Sequence, residues 1–471
     1  MSKILIINTG GTIGMVHSEC GNPNSPLRPA NSWSEIANEH PLLKRFDTDY
    51  CQIEELIDSS DCNFHIWIEI AKIIEEKYSK YVGFVILHGT DTMAYTASAL
   101  SFILKNLSKP IVLTGSQVPL QKPRSDALQN LITSIMIAGN EQYGIKLVPE
   151  VSIFFRDTLL RGNRSRKLDA SNYFGFSSPN FSPLAEVGGE LTVVKDRILK
   201  KSNKEFYIDP TFNNNVIIIE VFPGLKPSYI KNMIDYNPDL KGVILKTFGN
   251  GNAPTNKEFL DVINYMNSKN IVVVDITQCS RGFVKMGLYE ASAKMVDAGV
   301  VGGADLTPEA AITKLMYLLG KPLSTQEIKD AIKIDIAGEQ TINQYDWEFA
   351  NNSKKSDNFH FSINIPQNAN KQDILKSVVR VTNIQSDLND NENIEIQILV
   401  QGDKEYDSVS RTNFNKKVIR NSSNLFNDVH LNFNNSIKAI LKESSSIEVT
   451  LKSSKEICWN KLSFTLFTEK V

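Results

Sequence analysis

Cysteine is scarce in this chain and thinly spread. Cys20, Cys51, Cys62, Cys279 and Cys458 are five in 471 residues, an odd number with no C-x-x-C pair. That pattern argues against a disulfide framework and a structural zinc site, and suits a reduced, cytoplasmic protein. The six histidines are equally dispersed, none beside a Cys, Asp or Glu at a ligand spacing, so no metal is expected. Charge of one sign is lacking too: 51 Lys plus Arg face 53 Asp plus Glu, a formal net charge of −2. A dedicated nucleic-acid binder would leave a basic footprint, so no nucleic-acid partner is expected. No apolar run approaches the ~20 residues of a bilayer span, and no membrane partner is expected. The opening run Ile4–Ile7 is too short for a secretion signal and reads as a buried strand.

Glycine and proline nearly vanish from the last part of the chain. Of 25 glycines only Gly402 lies beyond Gly338, and of 18 prolines only Pro366 does. What remains there is period-two alternation, in Phe359–Ile363, Ile394–Ile398, Ser446–Leu451 and Leu462–Leu466, with Asn, Ser and Asp between. This predicts half-buried antiparallel strands, an all-β, sandwich-like module over 355–471, entered through a polar linker near 351–358. Phe359, Phe361 and Phe464 fall on the apolar positions and are expected in its core. Before the boundary, short runs such as Ile4–Ile7, Val82–Leu87, Ile111–Leu113, Val216–Val221, Val243–Leu245 and Ile271–Val274 are apolar throughout. Strands covered on both faces imply parallel sheets in an α/β fold. The polar stretch 195–215 divides them into a doubly wound, mostly parallel domain at 1–195 and a smaller α/β domain at 213–340. Helices are expected to start at Thr92 and at Ser125-Asp126, where capping residues precede them.

Open α/β sheets bind ligands where strands end and loops lead into helices. Three polar clusters occupy such places: Thr9-Gly10-Gly11-Thr12-Ile13-Gly14, His88-Gly89-Thr90-Asp91-Thr92 and Thr114-Gly115-Ser116-Gln117. Singly, each reads as a tight turn or a helix cap. Together, hydroxyl-bearing turns at neighbouring strand ends point to a nucleophile site. A dinucleotide site fits poorly, because the fingerprint wants three glycines where this chain has Thr9, Gly11 and Gly14. Arg161-Gly162-Asn163-Arg164-Ser165-Arg166-Lys167 has two readings. One is a solvated basic loop; the other is a lysine made a proton acceptor by burial and neighbouring cations.

Ile7–Ile13 and Gly83–Met93 resemble the two signature segments of the L-asparaginase family. Thr114–Gln117 and Arg161–Arg164 resemble its cytoplasmic bacterial type I branch in particular. The likeness continues through Gly249–Pro254, Thr277–Cys279 and Ala298–Gly303, and so covers about residues 1–340. It implies hydrolysis of the side-chain amide of L-asparagine to aspartate and ammonia, without cofactor or metal. Thr12 would be the nucleophile, supported by Thr90, Asp91 and Lys167. Ser59, with Ser60 beside it, would hold the substrate α-carboxylate and Asp91 its α-ammonium. The Ser116 carbonyl would take the amide N–H, and the N–H groups of Gly11 and Thr90 the oxyanion. The resemblance also implies a homodimer or homotetramer, with Asn252 reaching into a neighbour's site.

Two features depart from that family. It places a tyrosine on the loop after the first strand, whereas Cys20–Pro26 contains none and Asn22 stands in its place. Activation of Thr12 then falls to another group, or turnover is slow, or the substrate differs. The C-terminal β module is the second, either a stabilising appendage or a surface for an unknown partner. Two alternatives follow: an amidase for a larger amide that delivers ammonia to a partner, and a non-hydrolysing asparagine sensor. Cys279 reads best as a small buried apolar residue.

Overall fold

The structure, a computed structural model, describes residues 3–19, 22, 24–286, 290–351, 354–366, 369, 373–384, 393–402, 413–420, 427–432, 437, 440–441 and 444–469. In strand β1 (Ile4–Gly10) all seven residues are buried. It pairs in parallel with β2 (Thr48–Ile57) on one side and β3 (Gly83–Leu87) on the other. Beyond β3 come β4 (Ile111–Thr114), β5 (Val151–Phe155), β6 (Thr158–Arg161), β7 (Ala185–Val187) and β8 (Leu191–Val193), in the order β8-β7-β6-β5-β4-β3-β1-β2. Pairing is parallel from β2 to β5 and antiparallel from β5 to β8.

Alternate residues serve opposite faces, which is why these strands are apolar throughout. Ile4, Ile6, Val85 and Leu87 pack with Leu131 and Ile135 of helix α3 (Ala127–Gly139). Leu5, Ile7, Phe84 and Ile86 pack with Ile70 and Ile74 of α1 (Phe64–Lys77) and with Ala97 and Leu100 of α2 (Met93–Ile103). The chain leaves β1 toward β2 and then returns to β3 on its other side. That reversal opens a crevice at the carboxyl ends of β1 and β3, the place where such sheets bind ligands.

A second parallel sheet, β9-β10-β11-β12, comprises Val216–Glu220, Gly242–Thr247, Val272–Thr277 and Val301–Gly302. Helices α4 (Pro308–Leu319) and α5 (Thr325–Ile332) follow, and Ser324 and Glu327 form a capping box at the start of α5. The polar stretch 195–215 packs on the first domain at Phe206–Ile208. Phe206 stacks on Tyr78 with ring centres 3.7 Å apart, and Tyr207–Ile208 pairs with Leu104–Lys105. Among the described residues no helix is long and apolar enough to cross a membrane.

The chain divides into compact units at Met1–Gln340 and Thr341–Val471. The second is a sandwich of two antiparallel sheets. One has the order β13-β20-β15-β18 (Ile342–Ala350, Lys461–Glu469, Asp373–Ile384, Asn427–Asn432). The other has β14-β19-β16-β17 (Ser356–Asn364, Ser446–Ile457, Asn393–Gly402, Asn413–Arg420). Val379, Leu462 and Phe464 from the first meet Ile363, Ile398 and Val449 from the second in one core. Phe359 and Phe361 pack against it beside Trp459. The linker expected at 351–358 falls instead inside this unit, where Asn351 Nδ2 donates to Lys354 O at 3.0 Å and residues from Ser356 on belong to β14.

Candidate active site

Three loops meet at the carboxyl ends of β1, β2 and β3. Gly11 adopts φ 79°, and a Cβ there would fall 2.6 Å from the Gly89 nitrogen and 2.7 Å from its Cα. Gly89 presses in turn on the second loop, where a Cβ would lie 2.5 Å from Ser59 Oγ. Gly11 therefore lets the loops carrying Thr12 and Thr90 touch backbone to backbone, and Gly89 lets the Ser59 side chain close on the Thr90 loop, approaches that a side chain would block. Thr9 fastens the first loop by donating from Oγ1 to Leu87 O at 2.9 Å, and Thr92 Oγ1 donates to Ser59 O at 2.6 Å. Thr12 opens a 3₁₀ turn over Thr12–Gly14.

Lys167 reaches this crevice from across the sheet. Its Nζ donates to Thr90 Oγ1 at 2.8 Å and to Asp91 Oδ1 at 2.7 Å. The lysine side chain is 18% exposed and the Asp91 side chain 65%, so the ammonium is largely covered while the carboxylate looks outward. The basic segment before Lys167 is not a solvated loop. Arg161 Nε pairs with Glu150 Oε2 at 2.6 Å and Arg164 Nη2 with Asp305 Oδ2 at 2.7 Å, all four buried. Arg166 pairs with Glu309 at 3.3 Å. The cations expected beside Lys167 are thus each paired with a carboxylate.

Beneath the Thr90 loop runs a buried chain of hydrogen bonds. Trp67 Nε1 donates to Thr96 Oγ1 at 3.1 Å, and Thr96 Oγ1 lies 2.9 Å from His88 Nε2. His88 Nδ1 lies 2.7 Å from Gly89 O. A carbonyl only accepts, so Nδ1 carries the proton and Nε2 accepts from the threonine. Burial pushes His88 down to about 4, which keeps the ring neutral. Sequence reasoning missed this support, as it did Asp126. Asp126 does not cap α3 with its side chain; its carboxylate accepts from the N–H groups of Gln117 at 3.0 Å and Val118 at 3.0 Å. Asn130 Nδ2 donates to Gly115 O at 2.9 Å, so both flanks of Ser116 are held. The Ser116 hydroxyl is buried and has no partner among the described residues. An Asp just before a helix carried a signal, but its reach back to 117 and 118 did not.

The remaining expected residues fall as follows. Ser59 is buried against Gly89, whereas Ser60 is exposed and donates from Oγ to Asp58 Oδ1 at 2.8 Å. Asn252 lies on the loop after β10 of the second sheet, its backbone exchanging two 2.9 Å hydrogen bonds with Phe248. Asn22 is tied within its own loop, donating to Glu19 Oε2 at 2.7 Å and accepting from Asn24 N at 3.1 Å. Cys20, Gly21 and Pro23 of that loop lie outside the described residues. Cys279, expected buried, is exposed. Among the described residues no group of three His, Cys, Asp or Glu side chains could hold a metal ion.

The chain matches the family description "Asparaginase, N-terminal" over residues 3–199 and "Glutaminase/Asparaginase C-terminal domain" over 215–332. It is 40% identical to L-asparaginase 1 of Escherichia coli K12, over 72% of this chain and 98% of that one. The crystal structure of L-asparaginase I from Vibrio cholerae superposes with a TM-score of 0.65 at 40% identity, covering 72% of this chain and 99% of that one. A subunit of the glutamyl-tRNA(Gln) amidotransferase of Sulfolobus acidocaldarius is 34% identical over 72% of this chain and 75% of its own length.

Proposed function

The chain belongs to the asparaginase family of amidohydrolases, and from that premise we propose that it hydrolyses L-asparagine to L-aspartate and ammonia through a threonine nucleophile. The observation that carries this reading is Lys167 Nζ bridging Thr90 Oγ1 and Asp91 Oδ1, on a loop packed against the one that bears Thr12. An amide is a poor electrophile, so it needs a positioned hydroxyl, a proton acceptor and oxyanion donors together. The Thr12 hydroxyl attacks the side-chain carbonyl carbon. Acting as a neutral amine, Lys167 receives the hydroxyl proton by way of Thr90, and the N–H groups of Gly11 and Thr90 hold the oxyanion, worth about 3–4 kcal/mol of barrier each. The carbon–nitrogen bond breaks as the leaving nitrogen takes back the proton held by Lys167 and departs as ammonia, and Thr12 carries a β-aspartyl ester that water then hydrolyses. Asp91 takes the α-ammonium, Ser59 with Ser60 the α-carboxylate, and the Ser116 carbonyl the amide N–H.

The reading includes a cytoplasmic setting and a homodimer or homotetramer in which Asn252 completes a neighbour's site. Asn252 stands on the loop after β10, apart in sequence from the loops that carry Thr12, Ser59 and Thr90. A second reading, an amidase for a larger amide that feeds ammonia to a partner, draws on the amidotransferase relative. Saturation by free L-asparagine would argue against it. Ammonia release from purified protein with L-asparagine, L-glutamine and D-asparagine tests the proposal. Hydrolysis of L-asparagine that is lost in Thr12→Ala and nearly lost in Lys167→Met supports it. Near wild-type release from Thr12→Ala contradicts the mechanism, and asparagine binding without release leaves a sensor.

A further inference from the structure

Lys167 belongs to a strand of only two residues, Arg166–Lys167, paired with Phe176–Ser177. A ladder that short cannot fix a side chain by itself. The segment before it is gripped at every long or polar side chain. Asn163 Nδ2 donates to Ala337 O at 2.9 Å, Arg161 Nη1 to Gly338 O at 3.3 Å and Arg164 Nη1 to Glu339 O at 2.7 Å. Three successive carbonyls, at the very end of the first unit, thus receive three side chains from one short turn.

That end is itself rigid. Glu339 accepts from the N–H groups of Ile336 at 3.1 Å and Ala337 at 2.7 Å, and Asp335 Oδ1 from Gly338 N at 2.7 Å. Glu339 pairs with Lys314 at 2.7 Å, both side chains fully buried. Lys314 donates further to Ile332 O, Ile334 O and Gln340 Oε1. Helix α4 therefore holds the lysine segment twice, through Glu309 on Arg166 and through Lys314 and the 335–339 turn on Arg161, Asn163 and Arg164.

We propose that the Ala337–Glu339 turn, with Asn163 and Arg161 as positioning residues, sets where the Lys167 amine stands relative to Thr90. The first unit's last turn thereby becomes a working part of the catalytic site, immediately before the chain passes into the β sandwich at Thr341. The inference rests on the proposed role of Lys167 in moving the threonine proton.

The test compares steady-state hydrolysis of L-asparagine by the full chain with that of three variants. Asn163→Ala removes the donor to Ala337 O. Gly338→Ala acts from the other side, since its methyl would fall 3.0 Å from Arg161 Nη1 at a residue with φ 81°. Lys167→Met is the control for the underlying reading. Misplacing a catalytic group by an ångström costs up to about a hundredfold in rate. The folded fraction of Asn163→Ala or Gly338→Ala is accordingly expected to lose roughly tenfold to a hundredfold in kcat with KM within about twofold. The proposal is overturned if whichever of the two folds keeps wild-type kcat and only melts earlier while Lys167→Met is inactive. Activity in Lys167→Met would overturn the reading of the lysine instead, and with it the ground for the inference.

Discussion

Asp275 is wholly enclosed in β11, where Thr247 Oγ1 donates to one carboxyl oxygen at 2.7 Å and the other has no partner among the described residues. Burial pushes its pKa up to about 8. A raised acid binds a proton in the folded state that the unfolded chain releases, so its contribution is whole below about 4 and is lost as pH rises toward 8. A tenfold difference in proton affinity between the two states corresponds to about 1.4 kcal/mol. Asp275→Asn keeps the acceptor for Thr247 and removes the ionisation. It should therefore unfold at higher denaturant than wild type at pH 8, with the advantage shrinking steadily toward pH 4; an advantage independent of pH would contradict the assignment. His88 has the opposite sign. Its depressed folded value means stability is complete above about 6.5 and falls as pH drops toward 4. Neither value was legible in the sequence, because the neighbours that exclude water from Asp275 and His88 come from distant parts of the chain.

At the scale of elements, strand ends were readable and their supports were not. β1, β3 and β4 with their polar termini follow from local runs, since apolar residues at every position leave no alternative to burial on two faces. Sequence also marked Gly10-Gly11 as a tight turn, but not that Gly11 would pack against Gly89. Gly11→Ala, with its methyl 2.6 Å from the Gly89 nitrogen, should abolish amide hydrolysis and destabilise the first unit by several kcal/mol. Urea unfolding and activity measured together check this, and a stable, active variant would refute the packing. The basic segment 161–167 was ambiguous because its partners Glu150, Asp305, Glu309 and the carbonyls at 337–339 lie far along the chain or on another element. Composition alone makes such a run look solvated. Breaking one buried pair there, as in Arg164→Ala, should cost about 3–5 kcal/mol by taking the guanidinium from Asp305, read as a fall in the unfolding midpoint; an unchanged midpoint would show the pair to be idle.

At the scale of the molecule, glycine and proline thin out after Gly338, and the break between the two compact units falls after Gln340. The first sandwich strand was missed although Tyr345-Asp346-Trp347-Glu348-Phe349 alternates as clearly as the runs that were read. The relatives match 72% of the chain, and the two family descriptions end at residue 332. The proposed activity therefore rests on the first unit. Its central claim is that the Thr12 hydroxyl forms an acyl-enzyme with asparagine, and hydroxylamine tests that most directly. An ester at Thr12 partitions between water and the added nucleophile, so wild-type protein turning over L-asparagine should yield β-aspartyl hydroxamate, with none from Thr12→Ala. Hydroxamate formed by Thr12→Ala at the wild-type rate, or ammonia release with no hydroxamate at saturating hydroxylamine, would contradict the account.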